Sequence, residues 1–206
     1  MSKSIKAVLF DFDGTLTRPG ILDFGAIRQA IGAPAGLPIL EHIGALAPGK
    51  PRDQANRILE RFELEAAERS LPNPGAEDLI VFLKSLELKL GILTRNSLNS
   101  VSVALRNFRQ VRQSDFGVII TRHAPAQPKP HPEGVLLAAR KLGVTPDAIL
   151  VVGDYVFDIE AGQRAGSRTA FLTSEATTRF PDPPADVTIK TLDELKSIVR
   201  FYCVES

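Results

Sequence analysis

The sequence predicts an α/β fold built on a doubly wound, mainly parallel sheet, and three observations predict it. Short apolar runs alternate regularly with amphipathic segments along the 206 residues, the pattern expected when helices cover both faces of a parallel sheet. Several of the amphipathic segments open on Pro or on an Asn, Ser or Asp that caps a helix. One stretch, 18 to 74, breaks the alternation. It carries no strand-like run and is bracketed by Pro19-Gly20 and by Pro72-Asn73-Pro74-Gly75, residue types that punctuate a chain.

Taken in order, the first strand is expected at 5 to 10, where AVLF runs into Asp11. The interrupting stretch reads as three helices, near 23 to 32, 37 to 46 and 50 to 70. Thereafter strands are expected at 88 to 93, 117 to 120, 148 to 152 and 168 to 172, with a weaker one at 186 to 189. Helices are expected at 75 to 87, 97 to 107, 132 to 142, 156 to 165 and 191 to 201. A chain of this length holds one domain with a sizeable core, or a core carrying a smaller insertion. Residues 1 to 17 and 75 to 206 therefore read as the α/β core, and 18 to 74 as a helical insertion joined by two hinge-like crossings.

Composition removes several functions. Apolar residues make up 44% and charged residues 24%, and 25 Lys plus Arg stand against 24 Asp plus Glu. With no global field to attract nucleic acid or anionic lipid, any charge-based function must be local. Arg106, Arg109 and Arg112 recur every three residues but lack interleaved aromatics, so they read as a solvated helix end rather than a nucleic-acid stripe. The single cysteine, Cys203, permits neither an internal disulfide nor a Cys-rich metal site, which fits a reducing compartment. The N-terminal apolar run is broken at Asp11 before signal-peptide length, and no apolar stretch approaches the ~18 residues of a membrane span. A cytoplasmic protein with no membrane partner is expected.

In parallel sheets the loops after the strands converge on one crevice, and four features fall at such places. Asp11-Phe12-Asp13-Gly14-Thr15 follows the first strand; its paired carboxylates repel unless a cation or shared proton offsets them. A bare Asp-x-Asp also reads as a capped turn. A calcium loop does not fit: counted from Asp11, its oxygen-ligand, glycine and glutamate positions hold Thr15, Leu16 and Leu22, and neither leucine can serve. Thr94 ends the run LGIL, where a hydroxyl and free backbone N–H groups suit a phosphate oxygen, or where it serves as an N-cap. Lys129 sits in a Pro-flanked turn as the sole lysine between Lys89 and Lys141, either a fixed charge for a transferring phosphate or a plain surface lysine. The strongest apolar strand ends in Gly153-Asp154, with Asp158 four residues on; both carboxylates lie near the opening of one helix, beside its positive end.

Together these four features resemble the motifs of the haloacid dehalogenase superfamily of phosphohydrolases: Asp11 to Thr15, Thr94, Lys129, and Asp154 with Asp158. The resemblance covers essentially the whole core and implies a Rossmann-like sheet, with 18 to 74 as the α-helical cap of the phosphoglycolate-phosphatase-like and β-phosphoglucomutase-like branch, here a short one. It implies Asp11 as nucleophile and Asp13 as general acid and base, with Thr94 and Lys129 gripping the phosphoryl group. It assigns magnesium to Asp11, Asp13 through its carbonyl, and Asp154, with Asp158 steadying the ion's waters. Converging carboxylates need a divalent cation, and an all-oxygen set selects magnesium over zinc.

Asp13 favours phosphate esters, since haloacid dehalogenases and phosphonoacetaldehyde hydrolases lack an aspartate there. Substrate choice falls to the cap, and Lys50, Arg52 and Arg95 are the cationic candidates to meet an anionic leaving group. The stretch TRHAPAQPK lacks the acidic residue that relatives often carry upstream of the motif lysine, which leaves the partner of Lys129 open. The reading is a phosphatase for a small phosphorylated metabolite, acting as monomer or homodimer. A phosphomutase of the β-phosphoglucomutase type and a catalytically idle regulatory module are the alternatives.

Overall fold

A computed structural model describes residues 4 to 174 and 177 to 204. The strands are β1 (Ala7–Phe10), β2 (Lys89–Leu93), β3 (Val118–Ile120), β4 (Ile149–Gly153), β5 (Arg168–Leu172) and β6 (Val187–Ile189). They form one sheet in the order β3-β2-β1-β4-β5-β6, and every pairing is parallel. Each expected strand is found, with its ends displaced by at most two residues; the one expected at 148 to 152 is shifted to Ile149–Gly153. The two central strands, β1 and β4, are buried along their whole length, which is why they read as unbroken apolar runs rather than alternating ones.

The period of two along each strand divides the core. Val8, Phe10, Leu150, Val152 and Ile92 point to one face, against α4 (Ala76–Ser85), α5 (Leu98–Leu105) and α8 (Glu194–Val204). Ala7, Leu9, Ile149, Val151 and Val118 point to the other, against α6 (Glu133–Leu142) and α7 (Val156–Arg164). The helix expected at 75 to 87 stops at Ser85, and Glu87 takes a left-handed φ of 57°. The helix expected at 97 to 107 runs from Leu98, where Ser97 accepts the Ser100 N–H at 3.2 Å as its cap, to Leu105. Arg106, Arg109 and Arg112 thus fall outside that helix, and the Arg112 guanidinium donates to the Phe108 and Val111 carbonyls. The final helix is shifted to Glu194–Val204 and contains Cys203.

Residues 18 to 74 contain α1 (Phe24–Ile31), α2 (Ile39–Ala45) and α3 (Lys50–Arg69). Asp23 caps α1 by accepting the Ala26 N–H at 2.9 Å, and Pro51 opens α3. These helices share a small core of Ile27, Ile39, Ile43, Ala55 and Leu59. The last turns of α3 belong elsewhere: Ala67 joins the main core and packs with the α5 side of the sheet. The two crossings run side by side. Arg18 N–H donates to Leu71 O and Asn73 N–H to Leu16 O, at 2.9 and 2.8 Å. Among the described residues no helix is long and apolar enough to cross a membrane.

Asn107, just beyond α5, ties the end of α3 to the core, donating to the Ala67 and Ser70 carbonyls at 3.0 and 2.9 Å. Carbonyls at a helix end lack their usual i+4 donors; Ala67 O also accepts from the Ser70 N–H and hydroxyl, both at 3.3 Å. Asn107→Ala should lower the free energy of unfolding by about 1–3 kcal/mol, read from the urea midpoint at unchanged slope.

Candidate active site

The strand order reverses between β1 and β4, and the crevice of a doubly wound sheet opens at the carboxyl ends of the strands on either side of such a point. Asp11 follows β1 and Asp154 follows β4, so the sheet topology brings together residues 143 positions apart in the chain. The Asp11 N–H continues the ladder by donating to Val152 O at 2.8 Å. Gly14 then turns the chain with φ +83°; a Cβ at this position would lie 2.2 Å from Asp154 Oδ2, so a side chain is barred by both backbone and space. The Thr15 hydroxyl donates to Asp154 Oδ1 at 3.1 Å. From the returning crossing, the Asn73 amide donates to the Gly14 and Thr15 carbonyls at 3.1 and 3.0 Å, holding this loop from outside.

Asp158 occupies the first turn of α7, where its Oδ2 accepts the Tyr155 N–H at 3.0 Å. Gly153 leaves the space it needs, since a Cβ there would stand 2.3 Å from the Asp158 carboxyl. Lys129 is buried and its ammonium bridges the two sides of the crevice, donating to Asp11 and, at 2.5 Å, to Asp158 Oδ1. These acids answer what orients the lysine. Burial on its own would lower the ammonium's pKa, but the charges of Asp11 and Asp158 and their hydrogen bonds hold it above the usual lysine range.

The carboxylates perturb one another. Asp11, Asp154 and Asp158 each offer an oxygen within 4.8 Å of the others. Burial, followed by the charges of Asp11 and Asp158, raises Asp154 well above the ordinary carboxylate range. Burial also raises Asp158, against the opposing pull of Lys129. Asp13 stands apart from this trio. Its Oδ2 accepts the Asn96 amide at 2.5 Å, and burial, then the charges of Asp11 and Glu63, push its pKa up to about 7. A carboxyl with that pKa gives and takes a proton near neutrality. The trio is a set of hard oxygen donors whose repulsion a divalent cation would relieve.

Thr94 is buried beside this group, and its hydroxyl accepts the Asn96 N–H at 3.1 Å. The N-cap role open to it falls to Ser97 instead, and the Thr94 O–H, one donor beside two acceptor lone pairs, can still donate. Arg95 lines the crevice and bridges to the insertion: its guanidinium donates to the Lys129 carbonyl and to Glu41 of α2 at 2.5 Å, and lies 5.3 Å from the Phe157 ring centroid. Lys50 and Arg52 are not brought to the crevice. Arg52 donates to the Gly44 and Leu46 carbonyls at 2.7 and 2.6 Å, closing the end of α2, and Lys50 is exposed at the start of α3.

Other residues of the site were not singled out from sequence. Glu63 of α3 is buried, accepts the Ser97 N–H at 3.2 Å and binds the Arg122 guanidinium, with Nη1 to Oε2 at 2.6 Å. Its signal is a lone acid in the buried stripe Ala55, Leu59, Glu63, Ala66, Ala67, which calls for a buried partner. Arg18, Arg28 and Arg179 reach the same crevice from three separate segments. Its volume is about 370 Å³, and the insertion covers it from above with Ile21, Leu22, Phe24 and Leu40.

Residues 5 to 166 match the family model for haloacid dehalogenase-like hydrolases. A hydrolase of Saccharomyces cerevisiae is 32% identical over 99% of this chain and 95% of its own length. The N-acetylmuramic acid 6-phosphate phosphatase of Pseudomonas aeruginosa is 32% identical over 81% of this chain and 80% of its own. Among solved structures, a mutant of CbbY from Rhodobacter sphaeroides in complex with xylulose-(1,5)bisphosphate superposes with a TM-score of 0.74 at 26% identity, covering 93% of this chain and 96% of that one. The aspartate trio in the crevice, the lysine that joins two of its members and this match over most of the chain lead to one conclusion: the chain belongs to the haloacid dehalogenase-like hydrolase family, as an enzyme of the phosphatase type.

Proposed function

We propose that this chain is a magnesium-dependent phosphatase that cleaves a small phosphorylated metabolite by way of an aspartyl-phosphate on Asp11. The observation that carries the reading is the trio Asp11, Asp154 and Asp158, each with an oxygen within 4.8 Å of the others, bridged on one side by the Lys129 ammonium. The donor set fits magnesium: all its atoms are oxygen, and burial, followed by neighbouring negative charge, pushes Asp154 and Asp158 toward protonation. Asp11, Asp154 and the Asp13 backbone carbonyl would hold the ion. Asp158, whose oxygens already accept from Lys129 and Tyr155, would steady its waters. Bound there, the ion supplies positive charge that offsets the repulsion between carboxylate and phosphate.

The chain's own groups do the rest. Lys129 and the Thr94 hydroxyl hold the phosphoryl oxygens with Asp11 in line behind phosphorus; fixed donors of this kind are worth roughly a hundred- to thousand-fold in rate each. An Asp11 carboxylate oxygen bonds to phosphorus as the ester P–O bond breaks, and Asp13, protonated, gives its proton to the leaving alkoxide. Asp13 then takes a proton from water, whose oxygen attacks the same phosphorus and returns Asp11 as a carboxylate with inorganic phosphate released. The pKa of about 7 at Asp13 suits both halves. The relatives support the substrate class: one is named for a sugar-acid phosphate, and another was solved with a sugar bisphosphate.

Turnover of p-nitrophenyl phosphate with magnesium tests the reading. EDTA should abolish it, and Asp11→Asn should lower kcat by ~10³-fold or more; activity surviving either change would contradict it. Isomerised product that depends on a sugar bisphosphate would instead mark a phosphomutase.

The raised carboxyls also set a stability profile. Their folded-state pKa values exceed the ordinary 3.8, so the folded protein holds these protons more tightly than the unfolded chain, and the contribution of Asp13 is lost as pH rises from about 4 to about 7. In EDTA, the urea midpoint should fall across that window. Asp154→Asn should flatten the fall and raise stability near pH 7 by roughly 1–3 kcal/mol, and magnesium should raise the midpoint of the wild type more at pH 7 than at pH 5.

A further inference from the structure

Three arginines face the crevice from places far apart in the chain. Arg18 lies in the outgoing crossing, Arg28 on α1, and Arg179 between β5 and β6. The other cations lining the crevice are already engaged, Lys129 with Asp11 and Asp158, and Arg95 with Glu41. The acids are engaged as well. Asp13 is held by Asn96, Asp154 by Thr15 and Glu63 by Arg122. Among the described residues no carboxylate pairs with Arg18, Arg28 or Arg179. Arg28 is the clearest case: its Nε is buried without a hydrogen-bond partner, and its Nη1 reaches only the Phe24 carbonyl, at 3.4 Å. A guanidinium is a planar fork of donors that fits a carboxylate or phosphate, and a buried donor left unmet is costly.

These arginines lie on the leaving-group side of the site. The phosphoryl end is fixed by Asp11, Thr94 and Lys129 on the core, whereas Arg18 and Arg28 come from the inserted stretch. The wall beside them is apolar, with Ile21, Leu22 and Leu40 and the half-exposed ring of Phe24. Resting on the phosphatase reading, we propose that the substrate is a phosphate monoester whose leaving group carries a second anion, a carboxylate or another phosphate, and that Arg28 binds this anion with Arg18 and Arg179 beside it. The carbon frame between the two anions lies against the apolar wall. Discrimination arises because a neutral leaving group leaves the guanidinium donors unmet, which costs more than a missing apolar contact.

Initial rates of the full chain with magnesium test this in two arms: 3-phosphoglycerate against glycerol 3-phosphate for a carboxylate, and fructose 1,6-bisphosphate against fructose 6-phosphate for a phosphate. In at least one arm the anionic member should exceed its neutral partner at least tenfold in kcat/KM, and the arm that does so identifies the anion. That ratio should fall at least tenfold in Arg28→Gln and recover in part in Arg28→Lys, which keeps the charge without the fork; Arg18→Gln serves as a second variant should Arg28→Gln fail to fold. Neutral members turned over as well as anionic ones in both arms, or a ratio unmoved by every variant that folds, would overturn the proposal. If p-nitrophenyl phosphate is still hydrolysed in that case, the phosphatase reading stands; no turnover of any ester would contradict that reading itself.

Discussion

Carboxyl groups that repel one another meet at the carboxyl ends of β1 and β4, and the buried ammonium of Lys129 between Asp11 and Asp158 partly reconciles them. The surroundings follow from that constraint. The sheet supplies rigidity, since β1 and β4 are its two central strands and are covered on both faces. Gly14 and Gly153 supply room, each standing where any side chain would collide with an aspartate. Asn73, Thr15, Asn96 and the Tyr155 N–H supply hydrogen bonds that hold the loops and their carboxyls in place. The repulsion in an arrangement so short of positive charge is one that a divalent cation would relieve.

The inserted helices are joined to this centre by charge as well as by packing. Glu63 reaches down from α3 to the Ser97 N–H and to Arg122, binding the helix to the segments that follow β2 and β3. The negative charge of Glu63 is also felt at Asp13, where it helps to keep the proton on. From the other side, Arg95 extends from beside Thr94 to Glu41 on α2. The inserted helices are thus held to the core by ion pairs of Arg95 with Glu41 and of Arg122 with Glu60 and Glu63.

The fold was legible because its signals are local. Unbroken apolar runs mark strands buried on both faces, and Ser97, Asp23 and Pro51 mark helix starts by chemistry that acts within one turn. The core of the site was legible for the same reason. Asp11, Thr94 and Asp154 directly follow strands, and the parallel topology gathers all such positions at one edge. What was not legible depends on tertiary approach. Lys50 and Arg52 looked like substrate cations from their place before a long helix, yet the Arg52 guanidinium closes the end of α2 because the turn between α2 and α3 folds back on itself. Conversely, nothing near Arg28 or Arg179 in sequence marks them as neighbours of the crevice. Glu63 shows itself only once its helix is seen to bury that face.

The claim on which the mechanism rests, that Asp11 itself takes up phosphorus, is tested most directly by quenching the full chain in acid during turnover of p-nitrophenyl phosphate with magnesium and locating the phosphoryl group by mass spectrometry. A phosphoryl group on Asp11 is the predicted result. Its appearance on another residue, or hydrolysis of a chiral phosphate ester with inversion at phosphorus, the mark of direct attack by water, would contradict it.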